Sequence, residues 1–499
     1  MKTAVTFRFR VPLLITLLLL LLVTGVWSVT AQDGILLLPG NDRAFSVVQE
    51  LTVSDALPGD AFGKHLALDG NTLLIGSEDP GVYTGAAYIF ERDETGQWQA
   101  ITRLYADEME AYEQLGQSVA LQGEIAVVGA PTHVDPTLKG IVYVFGRDSI
   151  GAWVPLQLLA PNDLPNGSLF GSGVDIDGDR IVAASTNGSA YVYKRDPVSQ
   201  LWQLEDILPV GGESNDIDIE GETILIGADS ENGSEGAAYV YQLQAGSWTL
   251  IKKLLADDGQ ANDGFGQGVM LQHGQAFVYA PLSNLTDVNR GAVYIFSEDG
   301  GTWTQIQKLV PNDINANDYF GNDFALEGET LIVGSFGDAS DAGSVYIFGW
   351  NGSAWVQQRK IAAVGGRFGY SVALQGNLIF AGAPAISSNL GKVYVYSDSD
   401  LSPTPTLDPF NELLSDGGFE SDAAGWDVKD STSDKVKCNK EGKVIAYAGN
   451  CAWMFKGGAG EKSKIQQVIT SGTNAGDTLT LSGYVNGKGA VDSKVKVVV

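Results

Sequence analysis

Between residues 45 and 397 the chain alternates apolar and polar residues over short runs broken by Gly, Asp and Asn. That two-residue period is the signature of half-buried strands. One pattern recurs seven times, a Gly-x-x-Tyr followed by an apolar residue and an aromatic: Gly85 to Phe90, Gly140 to Phe145, Gly188 to Tyr193, Gly236 to Tyr241, Gly291 to Phe296, Gly343 to Phe348 and Gly391 to Tyr396. The tyrosines are 48 to 55 residues apart, a spacing that predicts an array of supersecondary units.

Each copy carries three more strand signals in fixed order. A Phe-Gly opens an alternating segment (A), as in Phe62-Gly63 to Leu68, and a two-residue turn such as Asp69-Gly70-Asn71 leads to an apolar run (B) ending like Gly129-Ala130-Pro131. The Tyr strand (C) follows. A Trp 9 to 11 residues after the Tyr, at Trp98, Trp153, Trp202, Trp248, Trp303 and Trp355, then opens the last strand (D). The unit is therefore a four-stranded antiparallel meander with hairpin turns. After Tyr396 no Trp strand follows, but Phe45 to Leu51 has the spacing of Trp303 to Leu309 and supplies the missing D strand. A strand that joins the two ends of the array closes a ring, which an open solenoid would not need.

Phe-Gly stands at Phe62, Phe170, Phe265, Phe320 and Phe368, becomes Leu115-Gly116 in the second copy, and is lost at Gly211 to Asp216 in the fourth; Gly-Ala-Pro is literal at Gly129 and Gly382. This order of motifs resembles the FG-GAP repeats of the seven-bladed propeller of integrin α subunits. The resemblance implies an all-β, seven-bladed propeller over 45–397, with ligands presented from the face that carries the B-to-C and D-to-A loops. Loop lengths point to the same face, since A-to-B turns are short while Glu78 to Thr84 and Ala256 to Gly264 are long.

Oxygen-rich D-to-A loops hold the candidate Ca²⁺ ligands Asp257, Asp263, Asp313 and Asp318. The competing reading is that such residues bond their own backbone to hold the turn. Integrin-type calcium loops lie in A-to-B turns, which are too short here, so that part of the resemblance does not carry over.

Composition changes the picture in three ways. Residues 1–31 join basic residues to an apolar run and end on Val29-Thr30-Ala31, which reads as a secretion signal, with an uncleaved anchor as the alternative. Its removal takes the net charge from −29 to −32, all of it in residues 32–410. Such acidity opposes nucleic acid and anionic membrane surfaces, favours a divalent cation, and leaves no apolar segment for membrane insertion after the signal. Finally, the composition shifts beyond the 32–44 lead, the propeller and a Pro-containing linker at 398–410. Residues 411–499 are neutral, and Gly417 to Trp426 resembles the opening of a galactose-binding-like jelly roll of carbohydrate-binding modules, a β-sandwich that breaks off within an apolar run at Val499. Cys438 and Cys451 read as a local disulfide, or as two buried thiols. Trp426 and Trp453 are candidates for stacking on sugar, against the alternative of core packing.

His65, His133 and His273 lie in separate copies, and there is no nucleophile elbow, zinc motif or phosphate loop. The expectation is a secreted or cell-surface, non-catalytic binding or adhesion protein with an extracellular protein or glycan partner. The alternative is a carbohydrate-recognition protein whose C-terminal module binds sugar on a propeller scaffold. A propeller hydrolase or lyase is a third reading.

Overall fold

Seven four-stranded antiparallel sheets follow one another along the chain, each in the order A-B-C-D. The structure, a computed structural model, describes residues 45–398 except 78–84, 106–113, 133–138, 163, 284–288 and 363–364, with four short strands beyond them. The expected signal, the lead, the linker past Asp398 and Trp426 lie outside the described residues. The first blade comprises Phe62–Asp69, Thr72–Ser77, Ala86–Arg92 and Trp98–Arg103. The seventh takes its outer strand from the start of the chain: Ser46–Leu51 pairs with Val393–Ser397, as the missing Trp strand requires.

The middle strands explain their own composition. Strands such as Thr72–Ser77 and Ala86–Arg92 are buried almost throughout, because a neighbouring blade covers each face of the sheet. Continuous apolar runs result, as in any strand covered on both sides. The Phe of each intact Phe-Gly packs edge-on against the Tyr of its own blade, with centroids 5.6 Å apart for Phe62 and Tyr88 and 5.3 Å for Phe320 and Tyr346. Trp98 meets Phe380 of the seventh blade at 5.2 Å.

The two glycine motifs are halves of one contact between blades. A Cβ at Gly85 would lie 2.2 Å from the Leu115 carbonyl oxygen, and one at Gly343 would lie 2.0 Å from that of Phe368. The glycine of strand C thus lets the Phe-Gly backbone of the next blade come within bridging distance. Where the fourth blade lacks Phe-Gly, the contact relaxes: at Gly188 the nearest atom to an added Cβ is 3.4 Å away.

Every outer strand carries a bulge at the same register, leaving Val48, Ile101, Leu156, Glu205, Ile251, Ile306 and Gln358 without a partner across the ladder. A bulge twists an edge away from further pairing. In the C-terminal region, Asp427–Lys429 pairs with Lys464–Gln466 and Lys435–Cys438 with Cys451–Met454.

Candidate functional site

The B-to-C and D-to-A loops share one face, and among the described residues hydrogen bonds tie loops of neighbouring blades together there. The residue before Phe-Gly, or before its Leu115-Gly116 counterpart, adopts a left-handed conformation at Ala61, Gln114, Leu169, Gly264, Tyr319 and Arg367. This turns two successive N–H groups toward the previous blade. Tyr319 and Phe320 donate to the carbonyls of Asn289 and Arg290, and Arg367 and Phe368 to those of Asp341 and Ala342. One loop is shorter than the repeat suggests: Thr186, Asn187 and Gly188 alone join strands B and C of the third blade.

At the centre of this face, loops from different blades bring aromatics and cations together. Tyr319 and Phe336 stack with centroids 4.8 Å apart and planes at 9°, and Phe336 lies 5.1 Å from Tyr370. The Arg367 guanidinium sits 5.7 Å from the centre of the Phe336 ring and the Lys64 ammonium 5.9 Å from that of Tyr370. Burial and the positive charge of Arg367 lower the Lys64 pKa to about 8. The nearest acid to Arg367 is Asp341 at 3.9 Å, where both groups are half-exposed and the pair is weak. Tyr319 is anchored by the Asn289 amide, which donates to its hydroxyl at 3.1 Å, and the Asn322 amide donates to the Tyr370 carbonyl at 2.6 Å. A non-Gly residue in the left-handed region costs on the order of 1 kcal/mol. Tyr319 and Arg367 bear that cost where the fifth blade has Gly264.

Below this mouth, the A strands line the central channel with carboxylates. The inner edge of each sheet would leave N–H groups unpaired, and acids of one blade accept from the next: Asp175 from Ile219 at 2.9 Å, Asp216 from Val269 at 2.8 Å, Asp218 from Leu271 at 2.7 Å and Asp323 from Val372 at 2.7 Å. Burial pushes Asp216 and Asp323 up to about 7 and Asp175 to about 6. Asp218 rises well above the usual range through burial and the Asp175 charge. Part of the acidity is therefore structural.

The proposed calcium ligands are dispersed among several roles. The Asp263 carboxylate accepts from the Gln260 N–H at 2.9 Å and the Asp318 carboxylate from the Asn315 N–H at 2.5 Å, each closing its own loop. Asp60 does the same with Leu57 at 2.7 Å. Asp313 pairs with Lys360 at 2.8 Å, while Asp257 uses its N–H to donate to Gln305 at 3.0 Å. Among the described residues, no three His, Cys, Asp or Glu side chains converge as metal ligands would. Asp258, another acid of these loops, meets a lysine that lies over a repeat tyrosine: Lys308 is 4.8 Å from the centre of the Tyr294 ring and 2.7 Å from Asp258, and Asp258 also accepts from the Tyr294 hydroxyl at 2.9 Å. Lys360 repeats the arrangement over Tyr346 with Asp338 at 2.6 Å.

His65 lies in the first A strand, where burial and Lys64 push it down to about 3, so it is neutral. Cys438 and Cys451 are directly opposite across their ladder, and Trp453 lies in the same pair of strands. The mouth cluster was not singled out in the sequence. Its signal lay in the residues flanking Phe-Gly, where Tyr319, Arg367, Lys64 and Tyr370 differ from their counterparts in other copies.

Four segments, 45–90, 98–145, 248–296 and 303–348, match the FG-GAP repeat family. Each matched segment runs from the outer strand of one blade through strand C of the next, so sequence repeat and blade are offset by one strand. No curated protein sequence matches the chain. Among the described residues no helix is long and apolar enough to cross a membrane.

Proposed function

We propose that the chain is an exported, non-catalytic binding protein of adhesion type, whose loop face takes an extracellular protein or glycan partner at the channel mouth. The observation that carries this reading is the cluster of Tyr319, Phe336 and Tyr370 with Arg367 and Lys64, two cations on aromatic faces within an acidic propeller. Rigid aromatics and Arg supply much of the binding energy of protein interfaces. The FG-GAP repeats and the basic, apolar first 31 residues support export to a surface role.

The test is binding of the full chain to a glycan array and to extracellular proteins, repeated with Tyr370→Ala and Arg367→Ala. Loss of binding in both variants at an unchanged melting temperature supports the reading. Undiminished binding would remove it.

A second reading has the C-terminal region recognise sugar while the propeller serves as scaffold. It is favoured by Trp453, which shares a strand pair with Cys438 and Cys451. Directly opposed residues in an antiparallel ladder have Cα atoms about 4.5 to 5.5 Å apart, within the span of a disulfide, and we read this pair as one. On that reading Trp453→Ala abolishes array binding and Tyr370→Ala leaves it intact.

A further inference from the structure

At three junctions between blades, a glutamine of one outer strand clamps the Trp of the next. Gln49 donates to the Trp98 carbonyl at 2.7 Å and accepts from its N–H at 2.8 Å. Gln157 does the same with Trp202, at 2.7 Å for both bonds, and Gln307 with Trp355 at 2.7 and 2.8 Å. Each glutamine immediately follows the bulge of its strand. The outward N–H and C=O of the Trp thus recognise a carboxamide, with one donor and one acceptor side by side.

Between the fourth and fifth blades the position after the bulge is Lys252. An ammonium has donors only and cannot reproduce the pair of bonds. The facing residue, Trp303, has the same geometry as the clamped ones. Its ladder partner Glu298 sends its N–H inward to Gly274 at 3.0 Å, just as Trp350, opposite Trp355, sends its own to Glu329 at 2.9 Å. Alternation along an antiparallel pair then directs the Trp303 N–H and C=O outward. Among the described residues no side chain takes them. Trp303 also lines a cleft of about 460 Å³, together with Lys252, Leu254, Asp257, Phe296 and Gln305. At the other junctions without a glutamine the neighbouring side chains make other contacts, and the Trp153 and Trp248 main chains likewise take no side chain among the described residues. Glu205 accepts from the Trp248 indole at 3.1 Å, Arg359 lies 4.6 Å from the centre of the Phe45 ring, and the short Thr102 turns its hydroxyl to the Arg103 carbonyl at 3.0 Å.

We propose that this cleft is a docking site for an acidic, extended peptide of a partner protein, which presents a carboxamide to the Trp303 main chain while Lys252 takes a neighbouring carboxylate. The protein's own glutamines define the group the site accepts, and the exposed ammonium defines the charge beside it. The site lies on the outer rim and is independent of the loop-face reading.

The experiment follows hydrogen exchange of the Trp303 amide in the full chain and titrates three acetylated tripeptide dimethylamides, Glu-Gln-Glu, Glu-Glu-Glu and Lys-Gln-Lys, which carry no terminal primary carboxamide. In the free protein the Trp303 amide exchanges at least about tenfold faster than those of Trp98, Trp202 and Trp355. In Lys252→Gln the new side chain closes the clamp and brings Trp303 to parity. Glu-Gln-Glu slows exchange at Trp303 in the parent and not in Lys252→Gln. Glu-Glu-Glu, which has no side-chain carboxamide, protects more weakly, and equal protection by it overturns the assignment of a carboxamide. The proposal is overturned if Trp303 is already as protected as the clamped tryptophans, if no acidic peptide protects it, if Lys-Gln-Lys protects as well as Glu-Gln-Glu, or if protection persists in Lys252→Gln.

Discussion

Gly391 of the seventh blade and Phe62 of the first are bridged in parallel, so closely that a Cβ at Gly391 would stand 2.1 Å from the Phe62 carbonyl oxygen. This contact closes the ring beside the outer strand. Gly391→Ala has no flexible neighbour to displace and also requires a left-handed alanine, so a loss of about 3 kcal/mol or more is expected. Gly70→Ala is the control: it has a similar φ of +56° and open space around it, and should lose only about 1 kcal/mol. Denaturant titration of the two variants measures the difference.

Gln307→Ala leaves the Trp355 N–H and C=O without their partner in a partly buried groove. An unmade bond of this kind costs about 1 to 3 kcal/mol. Thr102→Ala, at a junction that has no amide clamp, should change stability by less than half as much. Thermal melts of both variants test the ordering.

The channel carboxylates set a pH dependence. Asp216 and Asp323 titrate near 7 in the folded chain and near 3.8 when unfolded. Between those values the folded state holds protons that the unfolded state has released, so stability falls as pH rises from about 4 to 7 and changes little beyond. Each group contributes at most about 1.4 kcal/mol per pH unit. Asp216→Asn keeps an acceptor for the Val269 N–H without the charge, and should flatten the slope and raise the melting temperature at pH 8. A steeper slope in the variant would contradict this assignment.

Among the described residues the strand Ser46–Leu51 is the only sheet ladder that joins the two ends of the ring, and Leu51 in it is 2 % exposed. Leu51→Asp places a charge among Phe62, Phe380 and Val393 and should detach the strand. The expected result is a lower, broader melt together with higher oligomers formed through the uncovered edge of Val393–Ser397, read by size-exclusion chromatography. A monomeric variant with the parent melt would show that closure does not depend on this strand.

The repeat, the count of seven and the closing strand were all legible, because a two-residue period and Tyr at fixed register survive in every copy. The offset glycines were visible as motifs but not as partners, since Gly343 and Phe368 meet only once two blades stand side by side. The clamps of Gln49, Gln157 and Gln307 were hidden for the same reason. Nothing local distinguishes a glutamine that bonds its neighbour's backbone from one that faces water. The mouth cluster is harder still, because Tyr319, Phe336 and Tyr370 come from separate loops. The acidic loops were read for their oxygens, but whether Asp313 faces a cation or Lys360 depends on a lysine 47 residues away.

The one-strand offset between repeat and blade bears on how such a ring can change in size. Duplicating or losing one repeat changes the ring by one blade, but that blade is never the product of a single repeat, since its inner three strands come from one copy and its outer strand from the next. Because the first strand always pairs with the last Tyr strand, the same closure serves any number of copies, so ring size can drift by whole repeats without inventing a new seam.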